Sequence, residues 1–314
     1  MKQISYSPWL HRIALLTAGA TFLLIVIGGI VTSTESGLAV PDWPTTFGYN
    51  MFLYPLSEMV GGILYEHSHR LMGSLVGILT IVMLVMLIVK ESRKWVIWLG
   101  IAALIGVSVQ GVLGGLRVTE ENLNFAILHA CLAQAFFALL CGICLFTSSD
   151  WIENQQQSET NVDNITAKKL RRLSLITTCL IYIQLIFGAV LRHTGNRLDA
   201  HLLFAFLVAL HIVLFVRRYF ISGKEVQAIG QQLTIFLIGL LIIQLLLGFG
   251  AYITKLTAYG TTVSTLLTDI ITTSHVAVGA LMLVSSFVIT LKLYRLSLET
   301  ITVPKPVNGS LVTE

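Results

Sequence analysis

Eight long apolar runs constrain the fold of this chain more than any other feature of its sequence. Each run approaches the ~20 residues that a helix needs to cross the hydrocarbon core of a bilayer. The runs are residues 13–31, 71–89, 95–116, 125–146, 173–191, 202–220, 233–253 and 276–291. Because 55% of the residues are hydrophobic and only 11% are charged, the chain lacks the polar surface of a soluble protein. We predict an all-α membrane protein with eight transmembrane helices in the lipid bilayer.

The lysine and arginine residues predict how these helices are oriented. Of the 20 such residues, 15 fall on one side of the runs. The other side has only Arg70, Arg117, Arg192, Arg197 and Lys255. Positive residues collect on the cytoplasmic side of a membrane, so both termini are predicted to be cytoplasmic. This asymmetry also accounts for the formal net charge of +4, and no nucleic-acid partner is predicted.

A short unit recurs in the odd-numbered helices, and a histidine follows it each time. In the third, fifth and seventh helices a glutamine stands four residues before a glycine, and in the first helix Leu24 stands before Gly28. The glutamine–glycine pairs are Gln110 and Gly114, Gln184 and Gly188, and Gln244 and Gly248. The chain leaves the membrane after each glycine, and the next helix begins with a histidine in its outer turns. The four histidines are His69, His129, His201 and His275.

A polar segment divides the eight helices into two sets of four. Residues 1–150 form the first half, 151–172 a cytoplasmic linker, 173–298 the second half, and 299–314 a tail predicted to be disordered. Because each half has an even number of spans, both halves enter the membrane in the same sense. We therefore expect two four-helix bundles related by a pseudo-twofold axis along the membrane normal.

Two histidines per half, all at the outward level, suit one haem in each half. Neutral imidazole is a strong axial ligand of haem iron, and a four-helix bundle offers an apolar slot between facing helices. The predicted pairs are His69 with His129 and His201 with His275. Zinc is a weaker alternative because the carboxylates and thiols that usually complete its sphere are scarce near these residues. Hydrogen bonding between helices is the other use of a membrane histidine.

Charged residues at the same level suggest further roles. Glu66 stands one turn before His69, whereas the matching position before His201 is Leu198. A carboxylate beside a haem is a candidate proton donor or acceptor, which makes Glu66 the candidate catalytic residue; pairing with Arg70 is its structural alternative. Arginines at this level could pair with haem propionates or simply reach towards the interface. The outward loop at residues 32–65 is either a lid or an interface anchor.

Several stretches together resemble the heme A synthase family. They are residues 28–44 (GGIVTSTESGLAVPDWP), 66–70 (EHSHR) and 184–195 (QLIFGAVLRHTG), together with the four spaced histidines. These stretches run from the first helix to the last. Each is weak alone, but the combination is specific.

The resemblance implies an eight-helix enzyme of a bacterial plasma membrane that oxidises the C8 methyl of heme O to the formyl of heme A. The family's reaction proceeds by successive hydroxylations through an alcohol, heme I. By matched position, His69 and His129 would bind the substrate haem, with Arg70 and Arg117 nearby, and Glu66 matches the family's essential carboxylate. The second pair, His201 and His275, would bind heme b as an electron-transferring cofactor, with Arg192 nearby. Expected partners are heme O synthase, as the source of the substrate, and an unidentified electron donor.

The chain differs from the family pattern at two places, and two other functions are also compatible with the four histidines. Some bacterial members have a cysteine pair in the first outward loop, and this loop has none. Leu202 follows His201 where some relatives have a basic residue. A di-haem b-type cytochrome that only carries electrons would use the same four histidines. A transporter built from two repeats would use histidines as proton or substrate sites.

Overall fold

The computed structural model describes residues 6–153 and 164–299, and in this part of the chain the regular elements are helices. The long helices are α1 (Pro8–Ser33), α2 (Gly62–Lys90), α3 (Lys94–Thr119), α4 (Leu123–Phe146), α6 (Asn164–Thr194), α7 (Leu198–Ile221), α8 (Lys224–Leu256) and α9 (Thr265–Glu299). A short helix, α5 (Ser149–Glu153), follows α4. All eight long helices are long and apolar enough to cross a membrane. The predicted all-α membrane protein with eight spans is confirmed.

The segment between the two sets of helices differs from the predicted linker. Helix α6 begins at Asn164, so residues 164–172, predicted as linker, form its first turns. The centre of the predicted linker, residues 154–163, lies outside the described residues. So do residues 300–314 of the predicted disordered tail.

The helices pack in the same order in both halves. In the first half α1 packs on α2, α2 on α3, α3 on α4, and α4 on α1; in the second half α6, α7, α8 and α9 repeat this cycle. Between the halves, α1 packs on α9, α4 on α6, and α4 on α9. A twofold axis would exchange the first two of these contacts and map the third onto itself. The packing is therefore compatible with the pseudo-twofold arrangement that the sequence predicts.

Each half has an apolar core that reaches the end of its bundle opposite the histidines. The first core includes Leu10 near the start of α1, Leu87 near the end of α2, and Ile143 near the end of α4. The second core includes Leu170, Tyr219 and Leu293 at the corresponding ends of α6, α7 and α9. The four repeated histidines lie at the opposite ends of these helices. Each bundle is thus closed by apolar packing at one end and carries its histidine pair at the other.

The segment from Thr34 to Gly61 connects α1 and α2 and has a fold of its own. It contains an isolated β-bridge between Thr46 and Tyr49 and two short 3-10 helices, Met51–Leu53 and Leu56–Glu58. We call residues 34–61 the outer segment. The matching connection in the second half, between Thr194 and Leu198, is only three residues long. The two halves therefore differ most at their histidine-bearing ends.

Candidate functional site

The structure brings the four repeated histidines together as two pairs. The ring centres of His69 and His129 are 6.3 Å apart, with their planes at 77°. The ring centres of His201 and His275 are also 6.3 Å apart, with their planes at 67°. One pair lies in each half, between the second and fourth helices of that half. The pairs are the ones that the sequence predicts.

The repeated glycines make room for these rings. A Cβ atom added to Gly28 would lie 3.0 Å from Cε1 of His69, and one added to Gly248 would lie 3.1 Å from Cε1 of His275. The corresponding distances are 3.4 Å from Gly114 to His129 and 3.2 Å from Gly188 to His201. A side chain at any of these positions would therefore press on an imidazole. The repeat noted in the sequence is a unit in which one helix backbone packs on the histidine of the next.

The spacing of each pair fits two axial ligands of one haem iron. An imidazole nitrogen binds a transition metal at about 2 Å and lies ~1 Å from its ring centre, so two imidazoles on opposite sides of one iron have ring centres about 6 Å apart. Among the described residues, no group of three or more His, Cys, Asp or Glu side chains could hold a metal ion. Haem needs only two protein ligands, which is what each half provides. The residues present fit haem better than they fit zinc.

Glu66 and Arg70 bind the outer segment to α2. The two carboxylate oxygens of Glu66 accept hydrogen bonds from the Val40 N–H, at 2.9 Å, and from the Arg70 guanidinium, at 2.7 Å. Arg70 also donates to the carbonyls of Val40, Asp42 and Thr45. Its two terminal nitrogens are thereby directed at the outer segment and at Glu66. Both side chains are more than nine-tenths buried. The ion pair is therefore a structural clamp between the outer segment and α2, in addition to any other role of Glu66.

Two more contacts extend this clamp. His67 is 1% exposed; its Nδ1 lies 3.1 Å from the Thr46 hydroxyl, and its ring lies 5.2 Å from that of Tyr54. The Trp43 ring packs so closely on Gly115 of α3 that a Cβ there would collide with it. Gly115 follows Gly114, which contacts His129. The outer segment therefore spans from α2 to α3 at the end of the bundle that carries His69 and His129. His67 faces this segment.

The carboxylate of Asp42 organises the tip of the outer segment. Its Oδ1 accepts a hydrogen bond from the Phe47 N–H at 2.7 Å, and its Oδ2 accepts from the Gly48 N–H at 2.9 Å and from the Thr45 hydroxyl. Partial burial acts to raise the pKa of this carboxyl, but the three hydrogen bonds outweigh it, and the pKa lies below its ordinary value of 3.8. Sequence reasoning missed this role, although Asp42 lies between Pro41 and Pro44, and Asp and Pro are both residue types common in turns.

The two remaining candidate arginines have different surroundings. In the described part of the chain, one terminal nitrogen of Arg117, on α3, is buried without a hydrogen-bond partner. Arg192, on α6, donates to the Gly29 carbonyl at 2.7 Å, to the Ser33 hydroxyl at 2.7 Å and to the Thr272 carbonyl at 3.1 Å. Arg117 thus has a nitrogen available for an anionic group. Arg192 links α1 of the first half to α6 and α9 of the second.

Comparison with known proteins gives consistent matches. Residues 49–200 match the family model of the cytochrome oxidase assembly proteins (COX15-CtaA). The chain is 31% identical over 205 residues to a heme A synthase of Lysinibacillus sphaericus, covering 63% of this chain and 62% of that protein. It is 29% identical over 131 residues to a heme A synthase of Listeria innocua, covering 41% of each. The chain thus matches about two fifths of the length of the Listeria relatives and about three fifths of that of the Lysinibacillus protein.

Proposed function

We propose that the chain belongs to the heme A synthase family and that it oxidises the C8 methyl of heme O to the formyl of heme A by successive hydroxylations through heme I. The observation that carries this proposal is the pair of equal histidine sites, one in each half, each spaced for a single haem. One haem is the substrate and the other is a resident heme b. The names of the relatives support the choice of reaction.

The first half is the proposed substrate site. Its pair, His69 and His129, lies at the end of the bundle that the outer segment spans, whereas the matching connection in the second half, between α6 and α7, has three residues. A covered site keeps water away from a reacting group. The buried, unpartnered nitrogen of Arg117 supports a role in binding a propionate of the substrate. Arg70 is less available, because its terminal nitrogens already bind the outer segment.

The second half is the proposed heme b site. Its pair, His201 and His275, would hold a resident cofactor that passes electrons to the first half. Haem iron supplies the oxidising chemistry that an unactivated methyl group requires. The protein's share is to bind and orient both haems and to handle protons. Arg192, predicted beside heme b, would act mainly by joining the halves, because its guanidinium donates to α1 and α9.

Glu66 is the proposed proton-handling residue. It stands one turn before His69 on α2 and is 4% exposed. Each of its oxygens accepts one hydrogen bond and keeps a further lone pair that could take a proton. Proton transfer through Glu66 would then be coupled to the position of the outer segment, since the same oxygens hold that segment.

The setting of the enzyme follows from its composition and its substrate. The eight spans make it a multi-pass membrane protein, and we propose a bacterial plasma membrane with both termini cytoplasmic. A farnesylated haem would reach the bundle from lipid. Heme O synthase is the proposed supplier of that substrate. Successive hydroxylations that consume donated electrons also require an oxidant such as dioxygen, so both an oxidant and an electron donor must come from outside the chain.

The test is haem extraction from membranes that make heme O, with and without this protein. Heme A or heme I is expected only when the protein is present, and it should disappear in a His69→Ala variant. Well-folded protein loaded with haem that leaves heme O unconverted would contradict the proposal. That result would favour a di-haem electron-transfer cytochrome, which one observation also favours: Glu66 is already engaged as a structural clamp.

A further inference from the structure

A groove of about 390 Å³ lies between α6 and α7, at the end of the second half opposite its histidine pair. It is lined by four residues of α6 and one of α7, which are Lys169, Arg172, Leu173, Ile176 and Arg218. Arg218 stands in the last turn of α7, whereas His201 stands in its first turn. Most of the length of α7 therefore separates the groove from the second histidine pair, so the groove is not part of a haem site.

The four α6 residues share one face of the helix, and that face changes from basic to apolar along its length. Positions 169, 172, 173 and 176 follow the i, i+3, i+4, i+7 spacing of a single helix face. Lys169 and Arg172 precede the apolar run 173–191, and Leu173 and Ile176 begin it. The groove therefore crosses the boundary between the apolar span and its charged flank. A ligand that fits it has an anionic group next to an apolar chain.

The three basic side chains of the groove have no acidic partner to balance their charge. Among the described residues, none of the three forms an ion pair. In the same part of the chain, Nε of Arg218 is buried without a hydrogen-bond partner, and a terminal nitrogen of Arg218 reaches the Thr166 hydroxyl only at 3.5 Å. Like charges that line one groove repel each other, and an anion between them would relieve that repulsion.

Neighbouring basic residues at the same level do not line the groove. Arg171 places its guanidinium over the ring of Tyr294 on α9, 4.1 Å from the ring centre. Lys168 and Arg217 are exposed and lie outside the groove. Basic residues at the end of a span are expected from membrane topology alone. The arrangement of three of them around one groove with an apolar side is not.

We propose that the groove binds one anionic phospholipid, with its phosphate on Lys169, Arg172 and Arg218 and an acyl chain along Leu173 and Ile176. The volume falls within the roughly 300–1,000 Å³ of small-molecule sites. Basic pockets between transmembrane helices bind such headgroups, and a guanidinium binds a phosphate through two parallel hydrogen bonds. The lipid would join the start of α6 to the end of α7. This site is independent of the reaction at the haem sites.

The experiment is native mass spectrometry of the full-length protein in detergent, titrated with phosphatidylglycerol or with phosphatidylcholine of the same chain length. The first phosphatidylglycerol should bind at least about tenfold more tightly than phosphatidylcholine. Lys169→Gln and Arg172→Gln should each weaken that binding about fivefold, the usual effect of one basic residue near an anionic headgroup. Both side chains are exposed, so the fold should not change.

Lys168→Gln and Arg217→Gln are the matched controls, because they remove the same charge from the same two helices outside the groove. Both should bind phosphatidylglycerol as the unmodified protein does. An equal loss in all four variants, or no loss in any of them, would overturn the proposal, as would equal affinity for the two lipids. Glycerol phosphate tests for a soluble ligand. It should not displace the lipid, and displacement would show that the groove takes a free phosphate compound instead.

Discussion

At the residue scale, Glu66 has two roles that one substitution can separate. Glu66→Gln keeps the size of the side chain and an oxygen that can accept from the Val40 N–H, but it removes the charge that binds Arg70 and any capacity for proton transfer. We expect both haems to remain bound while heme A formation falls about a hundredfold or more, the scale of general acid–base catalysis. The measurement is haem extraction together with the haem content of the purified protein.

Two further variants test whether the loss of heme A formation comes from the Glu66 carboxylate itself. Glu35→Gln alters an exposed carboxylate of the same outer segment and should leave heme A formation unchanged. Arg70→Gln removes the clamp while leaving the carboxylate. An equal loss in Arg70→Gln and Glu66→Gln would mean that Glu66 acts only through the outer segment. An unchanged yield in Glu66→Gln would remove it from the mechanism.

The second pair of histidines gives a separate prediction at the same scale. His201→Ala or His275→Ala removes one of the two proposed haem ligands, whose ring centres lie 6.3 Å apart. The expected result is loss of most of the heme b, with the corresponding bands missing from the reduced spectrum. His211→Ala is the matched control, because the His211 ring only bonds a carbonyl one turn earlier on its own helix, that of Leu207. A double variant that is purified with full heme b content would refute the assignment.

At the scale of elements, the outer segment should loosen in acid. Because hydrogen bonds hold the pKa of Asp42 below its ordinary value of 3.8, its contribution to the folded segment is fully present above about pH 4. That contribution is lost as the pH falls through the lowered pKa. Amide exchange at Phe47 and Gly48, corrected for the intrinsic effect of pH, should therefore accelerate below about pH 4.

A substitution removes this pH dependence. Asp42→Asn cannot accept at both side-chain positions, so exchange at Phe47 and Gly48 should already be faster at neutral pH and should change little in acid. Glu35→Gln, an exposed change in the same segment, serves as the control. Acid loosening that persists in Asp42→Asn would assign the effect to another group.

The elements differ in how far the sequence determines them. Spans such as α3 follow from apolar length alone, because a bilayer leaves few alternatives to a helix. The pairing of His69 with His129 follows from the sequence repeat, because each histidine stands in the outer turns of the helix after a repeated glycine. The repeat therefore places both histidines at the same level of the membrane. The contacts of Arg70 could not be predicted from the sequence, because they depend on the fold of the outer segment. That segment has no hydrophobic periodicity from which a fold could be predicted. Trp43 on Gly115 is likewise a contact between positions far apart in sequence.

At the scale of the whole molecule, the two halves share one plan but differ at two places. The first half has the outer segment, and it has Leu24 where the other three units have glutamine. Both differences lie near the first histidine pair, His69 and His129. The packing order is otherwise the same in the two halves. A duplicated four-helix bundle in which one copy gained a long covering segment would produce this pattern.

The junction between the halves depends on Arg192, and this gives the last prediction. Arg192 bonds Gly29 and Ser33 of α1 and Thr272 of α9, while the Ser33 hydroxyl also bonds the hydroxyls of Thr272 and Thr273. Arg192→Leu leaves the carbonyls of Gly29 and Thr272 without this donor. We expect a loss of roughly 1–3 kcal/mol in the free energy of unfolding, with both haems still bound at low temperature.

The measurement is thermal unfolding in detergent, followed by the haem spectrum. Arg197→Leu is the matched control: this arginine lies just outside α7, its side chain is 59% exposed, and its 3.6 Å ion pair with Asp199 contributes little. If Arg192→Leu lost heme b selectively while its unfolding temperature stayed unchanged, Arg192 would be binding a propionate, as first predicted from the sequence. A lower unfolding temperature with heme b retained would instead mean that this residue keeps the two haem sites in register, because Gly29 adjoins the glycine that packs on His69 and Thr273 lies two residues before His275.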